Sequence, residues 1–195
     1  MSTDMDMKTT RSYTMTARAE AAEANRARIV ASVVALAGER VLAEITLDAV
    51  AGRAGVSVKT VLRQFGSREG LLRAAAEAAV TETVEERQAP PGDPAGALRV
   101  LVDHYERRGR TALLMLAQED RDPIARAVTD VGRAMHRAWV RDAFSPDTDD
   151  EAVLDLLVVA TDVYAWKLLR LDRGHSRAVT EERMNDLVQS LLGTR

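Results

Sequence analysis

Four polar side chains recur within six residues and share one face of a predicted helix: Lys59, Thr60, Arg63 and Gln64. Arginine and glutamine carry paired hydrogen-bonding groups that match the edges of guanine and adenine, so Arg63 and Gln64 are candidate base contacts. Lys59 and Thr60 can bind either a base or a phosphate. The chemistry that this face can perform is hydrogen bonding to a nucleic acid.

Two short helices joined by a tight turn must position that face. Apolar residues recur at helical spacing over residues 47–54, and Thr46 precedes them as a candidate N-cap. Gly55 supplies the positive φ that ends this helix. Ser57 caps a second helix, in which Val61 faces the core. The pattern predicts a helix-turn-helix, the arrangement that places an α-helix in a major groove.

The longer run over residues 55–72, Gly-Val-Ser-x-x-Thr-x-x-x-x-Phe-x-Ser-Arg-Glu-x-Leu-Leu, resembles the N-terminal domain of TetR-family transcriptional regulators. The resemblance covers residues 24–76. It implies three N-terminal helices that bind operator DNA, followed by a helical domain that dimerises and usually binds a small-molecule inducer. The candidate DNA-binding residues are Thr46, Ser57, Val58, Lys59, Thr60, Leu62, Arg63, Gln64 and Arg68, the last as a phosphate contact.

Two positions depart from the family's pattern. Leu62 stands where the family commonly has a phosphate-contacting tyrosine, and Gln64 stands where a histidine or tyrosine often follows. Leu62 lacks the hydroxyl that positions the helix on DNA, whereas Gln64 adds a bidentate option toward adenine. The resemblance therefore predicts the architecture of the motif and leaves its individual contacts open.

The composition predicts an all-α protein. Proline is scarce, with 5 residues, alanine is abundant, and no alternating β-branched run lies between turn residues. The chain has no cysteine, which excludes disulfides, thiolate zinc sites and cysteine nucleophiles. No run of about 18 apolar residues and no apolar leader segment occurs, so we expect a cytoplasmic protein without a membrane partner.

The charges are unevenly distributed along the chain. Residues 1–73 hold 11 of the 27 Lys and Arg but 8 of the 30 Asp and Glu, which gives +3 there and −6 in the remainder. A basic N-terminal module followed by an acidic one is typical of a DNA reader joined to an effector domain.

The predicted organisation is a disordered arm over residues 1–16, a helix-turn-helix DNA-binding domain over 17–76, and an effector-binding and dimerisation domain over 95–195. The first helix is predicted from Ala17 to about Leu42, with an earlier end at Gly38 as the alternative. The fourth helix begins at Ser67 and continues to about residue 88 as a connector, until the proline-rich segment 89–96 breaks it.

Apolar periodicity predicts five helices in the second domain, over residues 97–108, 111–119, 122–144, 152–171 and 180–192. The fourth of these is apolar nearly all round, which calls for burial on more than one side. In the family, the last two helices pair with their copies across a two-fold axis, so the resemblance implies a homodimer. The candidate interface residues are Leu156, Val159, Val163, Leu187 and Leu191.

A group of aromatic, methionine and polar side chains in the second domain consists of Tyr105, Met115, Met135, His136, Trp139, Asp162 and Trp166. Such residues suit an apolar pocket for a planar or lipophilic inducer, with His136 or Asp162 as a polar handle. A plain hydrophobic core is the alternative for each of them, because large apolar side chains at helical spacing are buried by default.

No catalytic or metal-binding motif accompanies these features. The three histidines lack metal-ligand spacing, so we expect no metal, no cofactor and no enzymatic activity. The sequence predicts a homodimeric regulator, a repressor that a small-molecule inducer releases from palindromic operator DNA. The alternative is a helical protein-interaction adaptor that uses its N-terminal helices structurally and has no specific DNA binding.

Overall fold

The computed structural model describes residues 4–89, 92–144 and 148–193, and within these ranges the chain is helical without a β-strand. The helices are α1 (Asp4–Ala37), α2 (Leu47–Ala54), α3 (Val58–Phe65), α4 (Arg68–Glu86), α5 (Pro94–Leu116), α6 (Pro123–Phe144), α7 (Glu151–Ala160), α8 (Val163–Lys167) and α9 (Arg177–Leu192). A 3₁₀ turn spans Leu42–Glu44, and a π-helical turn, Leu168–Asp172, follows α8. The all-α prediction is confirmed for this part of the chain.

These helices belong to two compact units. The first comprises Met1–Leu36 and Ala43–Ala75, and the second comprises Ala37–Leu42 and Ala76–Arg195. Helix α4 is shared between them, since it begins at Arg68 in the first unit and ends at Glu86 in the second. The predicted DNA-binding range 17–76 and effector range 95–195 remain proposals, because they assign functions to parts of the chain.

The first unit contains the predicted helix-turn-helix, whose ends are fixed by two side-chain caps and a glycine. Thr46 Oγ1 accepts a hydrogen bond from the N–H of Ala49 at 3.2 Å, and α2 begins there. Gly55 ends α2 with φ +67°, a left-handed conformation that favours glycine. Ser57 Oγ accepts from the N–H of Thr60 at 3.2 Å, and α3 begins there. All three predictions are confirmed.

Helix α1 begins earlier than predicted and ends at the earlier of its two predicted ends. It begins at Asp4, so the structure shows a helix where the sequence predicts a disordered arm to residue 16, and residues 1–3 lie outside the described ranges. Neither glycine nor proline interrupts the segment from Asp4 to Ala37, so nothing in it breaks an advancing helix. Gly38, a poor helix former, follows Ala37, and the helix ends before the predicted Leu42.

Helix α5 is continuous where the sequence predicts two helices. It spans Pro94–Leu116, in place of separate helices over 97–108 and 111–119. Gly109 lies in its interior and is buried, and a Cβ added there would lie 2.6 Å from Cζ3 of Trp166. The glycine therefore permits a close approach of the indole ring and does not end the helix.

Side-chain caps also set the ends of helices in the second unit. Asp93 begins α5 by accepting the N–H of Gly96 at 2.9 Å, and Asp150 begins α7 by accepting the N–H of Ala152 at 2.9 Å. Ser176 caps α9, which begins at Arg177, three residues before the predicted Thr180. Five residues of the predicted breaks lie outside the described ranges: Pro90, Pro91, Ser145, Pro146 and Asp147.

The apolar segment predicted as one helix over 152–171 is divided in the structure. Helix α7 ends at Ala160, and Asp162 begins α8 by accepting the N–H of Tyr164 at 2.8 Å. Between them, Thr161 Oγ1 donates to the carbonyl of Leu157 at 2.6 Å. Apolar periodicity continues across this junction, which is why the sequence alone predicts an unbroken helix.

The core of the second unit is centred on α5. Helix α5 packs against α6, α8 and α9, while α7 packs against α6 and α9. One core cluster includes Phe144, Leu157 and Val188, and a second includes Leu101 and Trp166. Burying a large apolar side chain in such a cluster contributes roughly 1.5–3 kcal/mol.

Gly109→Ala is expected to destabilise the protein by about 1–2 kcal/mol, although alanine is the better helix former. The added methyl group would overlap the Trp166 ring and force it to move. Gly132→Ala in α6 is the matched control, since no neighbouring atom lies within 4 Å of its added Cβ, and we expect stabilisation of about 0.5–1 kcal/mol. Urea unfolding measures the change in the free energy of unfolding of both variants. A Gly109→Ala protein as stable as the parent would show that the ring moves freely.

Candidate functional site

Helix α3 has one buried face and one exposed face. Val61 has no exposed surface, whereas Leu62 keeps 40% of its surface exposed. Lys59 and Arg63 lie two residues to either side of Val61 and are exposed. Because two residues turn a helix by about 200°, both cations lie opposite the buried valine. The helix is anchored through one face and presents two cations on the other, which is the geometry of a groove-reading helix.

The first turn of α3 contains three more of the predicted DNA-binding residues. Ser57 is exposed, and Val58 and Thr60 are half-buried. Ser57 Oγ lies 3.0 Å from Thr60 Oγ1 while it accepts the Thr60 N–H. Thr46 is exposed at the corresponding position of α2. The hydroxyls of Ser57 and Thr46 thus already cap helices, and DNA contacts by them remain predictions.

The C-terminal end of α3 is held against α1. Gln64 Nε2 donates to the carbonyl of Ala22 at 3.3 Å, and its Oε1 is buried without a partner among the described residues. The guanidinium of Arg26 lies 4.6 Å from the centroid of the Phe65 ring, within the range of a cation–π contact. Gln64 is therefore turned toward α1. This corrects the expectation that it lies free beside Arg63.

Arg68 has a structural hydrogen bond at the start of α4. Its Nε donates to the carbonyl of Ile45 at 2.8 Å, and Ile45 is the residue that precedes the α2 cap. The side chain is half-buried. Arg68 thus ties the beginning of α4 to the beginning of α2, and its predicted phosphate contact remains a prediction beside this role.

The second unit contains a group of polar side chains that we call the polar cluster: Glu86, Arg87, His104, Tyr105, His136 and Thr161. In it, His136 Nε2 lies 3.2 Å from Thr161 Oγ1, and His136 Nδ1 lies 3.4 Å from Arg87 Nη1. Thr161 Oγ1 donates its own proton to Leu157, so it accepts from His136. The proton of His136 therefore resides on Nε2, and Nδ1 accepts from Arg87.

Both histidines of the polar cluster are neutral at pH 7. Burial, followed by the positive charge of Arg87, lowers the pKa of His104 to about 4, although the hydrogen bond to Glu86 opposes this shift. Burial and Arg87 likewise lower the pKa of His136 to about 4. The 2.7 Å contact between His104 Nδ1 and Glu86 Oε2 is therefore a hydrogen bond from a neutral imidazole to a carboxylate.

The predicted ligand-binding residues are mostly buried. Tyr105, Met115, His136 and Trp166 are buried, while Met135, Trp139 and Asp162 are half-buried. The Tyr105 and Trp166 ring centroids are 5.9 Å apart, and His136 stacks on Trp139 at 5.9 Å. Asp162 caps α8, so it is engaged in the fold and is not the free polar handle that the sequence suggests. Sequence reasoning missed Arg87 and Thr161, which carry no periodic or motif signal.

A cavity of about 290 Å³ lies between the start of α5 and α9 in the second unit. It is lined by Ala95, Leu98, Ala178, Glu181, Glu182 and Asn185. None of the predicted ligand-binding residues lines this cavity. Glu181 is already paired with Arg177 at 2.7 Å. The cavity and the predicted ligand-binding residues are thus separate features of this unit.

Three of the predicted interface residues are exposed apolar side chains: Leu156 at 52%, Val159 at 66% and Leu187 at 48%. Leu191 is half-buried. Val163 is only 7% exposed and belongs to the core cluster with Trp166, so its prediction as an interface residue is wrong. It faces inward because the helix is interrupted after Ala160 and restarts in α8. Two exposed apolar residues nearby, Tyr164 and Leu168, were not predicted.

The described residues form neither a metal-binding group nor a membrane span. In the part of the chain that the structure describes, no group of three or more His, Asp or Glu is placed to hold a metal ion. The helices within the same ranges include none with the length and apolar character that crossing a membrane requires.

Comparisons with known proteins agree with this architecture. Residues 29–75 match the family model described as bacterial regulatory proteins, tetR family. A TetR-family transcriptional regulator from Streptomyces coelicolor has a similar structure, with a TM-score of 0.68 at 22% identity over 88% of this chain and 82% of that one. A transcriptional regulator from Rhodococcus sp. gives 0.68 at 19% identity over 86% and 96%. A TetR transcriptional regulator from Rhodococcus sp. gives 0.51 at 25% identity over 88% and 97%. Curated protein sequences give no significant match.

The fold and the two-faced α3 define a transcriptional regulator with an N-terminal helix-turn-helix DNA-binding domain. The match over residues 29–75 places the helix-turn-helix of the chain with the tetR family of bacterial regulatory proteins, and a solved TetR-family regulator shares the fold. The matched family consists of bacterial regulatory proteins.

Proposed function

We propose that the protein is a repressor that binds palindromic operator DNA as a homodimer and releases it when a small-molecule inducer binds. The observation that carries the proposal is the asymmetry of α3, in which Val61 is fully buried and Lys59 and Arg63 are exposed. We assign DNA binding to residues 17–76, the connection to α4 up to about residue 88, and effector binding and dimerisation to residues 95–195.

In the proposed complex, α3 lies in the major groove and Arg63 donates to base edges. Lys59 and Thr60 bind a base or a phosphate, and Arg68 binds a phosphate. Leu62, at 40% exposure, makes an apolar contact in place of a tyrosine hydroxyl bond. Gln64 reaches adenine only if its carboxamide leaves the carbonyl of Ala22. The remaining predicted contacts are Thr46, Ser57 and Val58.

We assign dimerisation to the exposed apolar surface of α7 and α9, called the apolar face and made of Leu156, Val159, Leu187 and Leu191. Helices α7 and α9 pack against each other, so these side chains lie on adjoining elements. Soluble proteins rarely leave such a patch in water, and a second copy would cover it symmetrically. Two recognition helices about 34 Å apart would then meet successive major grooves of one duplex.

Val159→Asp is expected to weaken the dimer about a hundredfold. Each dimer would lose two buried valine side chains, worth about 3 kcal/mol together, and would bring two carboxylates close to the two-fold axis. Sedimentation velocity across a dilution series measures the dissociation constant. Val131→Asp on α6 is the matched control, since Val131 is 45% exposed and outside the apolar face. Equal dimerisation of the two variants would place the interface elsewhere.

The proposed inducer site involves the buried aromatic and polar residues of the second unit, with Tyr105, His136, Trp139 and Trp166 as its main components. Met115, Met135 and Asp162 are the remaining candidates. An inducer shifts the regulator toward a state of low DNA affinity only if it binds that state more tightly. Helix α4 is shared between the two units and is one of the covalent connections through which inducer binding would alter DNA binding.

Selection of bound sequences from random duplex DNA, followed by gel-shift with the full chain, tests the proposed function. We expect enrichment of a palindrome whose half-sites are read by two copies of α3. The same palindrome with one half-site scrambled should bind more weakly, since one of the two recognition helices then lacks its sequence. A chain that enriches no sequence would contradict the proposal and favour a helical adaptor.

A further inference from the structure

Arg87 is a cation without an acidic partner among the described residues. It follows the last residue of α4, its side chain is half-buried, and its Nε is buried without a hydrogen-bond partner in the same part of the chain. The neighbouring carboxylate of Glu86 is taken by His104 at 2.7 Å and by Arg108 and Arg107 at 3.3 and 3.4 Å. A buried donor without an acceptor costs free energy, and a half-buried cation without a counterion is only partly stabilised by water. The unpaired Nε and the unbalanced charge of Arg87 therefore indicate a role other than stabilising the fold.

The groups around Arg87 do not supply the missing negative charge. Its Nη1 meets the neutral His136 over a long contact of 3.4 Å. The Tyr105 ring lies 5.3 Å from the guanidinium carbon and offers its π face but no charge. Asp162 is the acid on the α7–α8 side, and its carboxylate is engaged as the cap of α8. The surroundings thus stabilise the cation only partly.

The walls beside Arg87 are aromatic. Trp139 Nε1 donates to the backbone carbonyl of Arg87 at 2.9 Å, and the indole stacks on His136 with an interplanar angle of 14°. Tyr105 in turn lies against Trp166, with centroids 5.9 Å apart. A molecule that pairs with the guanidinium would therefore have its remaining atoms beside flat, apolar rings.

We propose that Arg87 is the anion-binding residue of the inducer site and that the inducer is an organic carboxylate with an apolar body. This inference rests on the proposed function, since it names the chemical class of the inducer. The carboxylate accepts from the unpaired Nε and from one Nη of Arg87, the two-pronged geometry that suits a guanidinium. The apolar body lies against Tyr105 and Trp139.

Titration of the full chain with benzoate and decanoate at constant ionic strength tests this assignment. The chain has two tryptophans, Trp139 beside Arg87 and Trp166 beside Tyr105, so intrinsic fluorescence reports binding together with the rise in Tm. At least one of the two carboxylates should bind saturably, and benzamide and acetate should not. Arg87→Gln should weaken that binding by about tenfold or more, whereas the exposed Arg110→Gln should leave it unchanged.

The assignment is overturned if neither carboxylate binds, if benzamide or acetate produces the same response, or if Arg87→Gln binds as tightly as the parent. If Arg87→Gln fails to fold, carboxylate binding by Arg87→Lys tests the assignment instead. This variant keeps the positive charge but removes the two-pronged hydrogen-bonding geometry. Weaker binding by this variant supports the role of Arg87, and unchanged binding overturns it. Operator affinity measured without any carboxylate reports separately on the proposed regulator. If it is retained while no carboxylate binds, only the inducer class is wrong.

Discussion

Replacing both Lys59 and Arg63 with alanine is expected to abolish sequence-specific DNA binding at physiological salt while the protein stays folded. Both side chains are exposed, and the helix is anchored through Val61, which has no exposed surface. A good base contact is worth about 1–3 kcal/mol, and a dimer would lose two copies of Arg63, so that residue alone accounts for roughly 2–6 kcal/mol. Removal of Lys59 adds to this.

The single variants Arg63→Ala and Lys59→Ala should affect different properties of DNA binding. Arg63→Ala removes a base contact, so it should relax the preference at one position of each half-site. Lys59→Ala, if Lys59 binds a phosphate, should weaken binding to all sequences alike and make the logarithm of affinity fall less steeply with the logarithm of salt concentration. The expected decrease in that slope is about 0.9 for each phosphate that the variant no longer neutralises.

Fluorescence anisotropy with the selected operator, measured over a range of salt concentrations, distinguishes these outcomes. Arg110→Ala is the matched control, since it removes an exposed arginine from α5 in the second unit. Circular dichroism and urea unfolding establish that each variant is folded. A double variant that binds the operator as tightly as the parent would remove α3 from the DNA interface.

The helix-turn-helix could be predicted from the sequence because its determinants are local. Thr46 and Ser57 cap their helices through hydrogen bonds to residues three positions later, and Gly55 is needed for one backbone conformation. None of these depends on a distant part of the chain. The exposure of Lys59 and Arg63 follows from helical periodicity once Val61 is placed in the core.

The polar cluster could not be predicted in the same way. It joins Arg87 to His136 across 49 residues and His104 to Glu86 across 18, and no spacing rule relates such positions. Val163 illustrates the same limit, because its inward orientation depends on where α7 ends and α8 begins. Tertiary contacts decide these features, and sequence periodicity describes only single helices.

Gln64 shows where even a local pattern is insufficient. Its position on α3 places it one residue beyond Arg63, and periodicity assigns both to the polar side. Nevertheless, the structure turns its carboxamide toward Ala22 of α1, whose packing against α3 the local pattern does not specify. A side chain at the edge of a helical face can therefore belong to either side, and the neighbouring helix decides.

Lowering the pH from 7.5 to 5 is expected to reduce the free energy of unfolding by roughly 4 kcal/mol through His104 and His136. Both have folded-state pKa values of about 4, whereas unfolded imidazoles titrate near 6.5. Between these values the unfolded state binds more protons, so stability decreases as the pH falls. By pH 5 each histidine accounts for roughly 2 kcal/mol of the loss, and the loss is complete only below about pH 4.

The charges around the two imidazoles set this sensitivity and guide the measurement. Arg87 opposes protonation of both histidines, while Glu86 favours it at His104 and Asp162 favours it at His136. Burial raises the pKa of Glu86, but its hydrogen bonds with His104 and Arg108 outweigh this and keep the pKa below its usual value, so Glu86 stays ionised above pH 5. Urea unfolding at a series of pH values should show the decrease. His104→Gln and His136→Gln should each remove about half of this decrease in the free energy of unfolding, since each removes one titrating group.

A free energy of unfolding that stays constant from pH 7.5 to 5 would mean that both imidazoles reach water in the folded protein. The burial that also isolates Arg87 would then be absent.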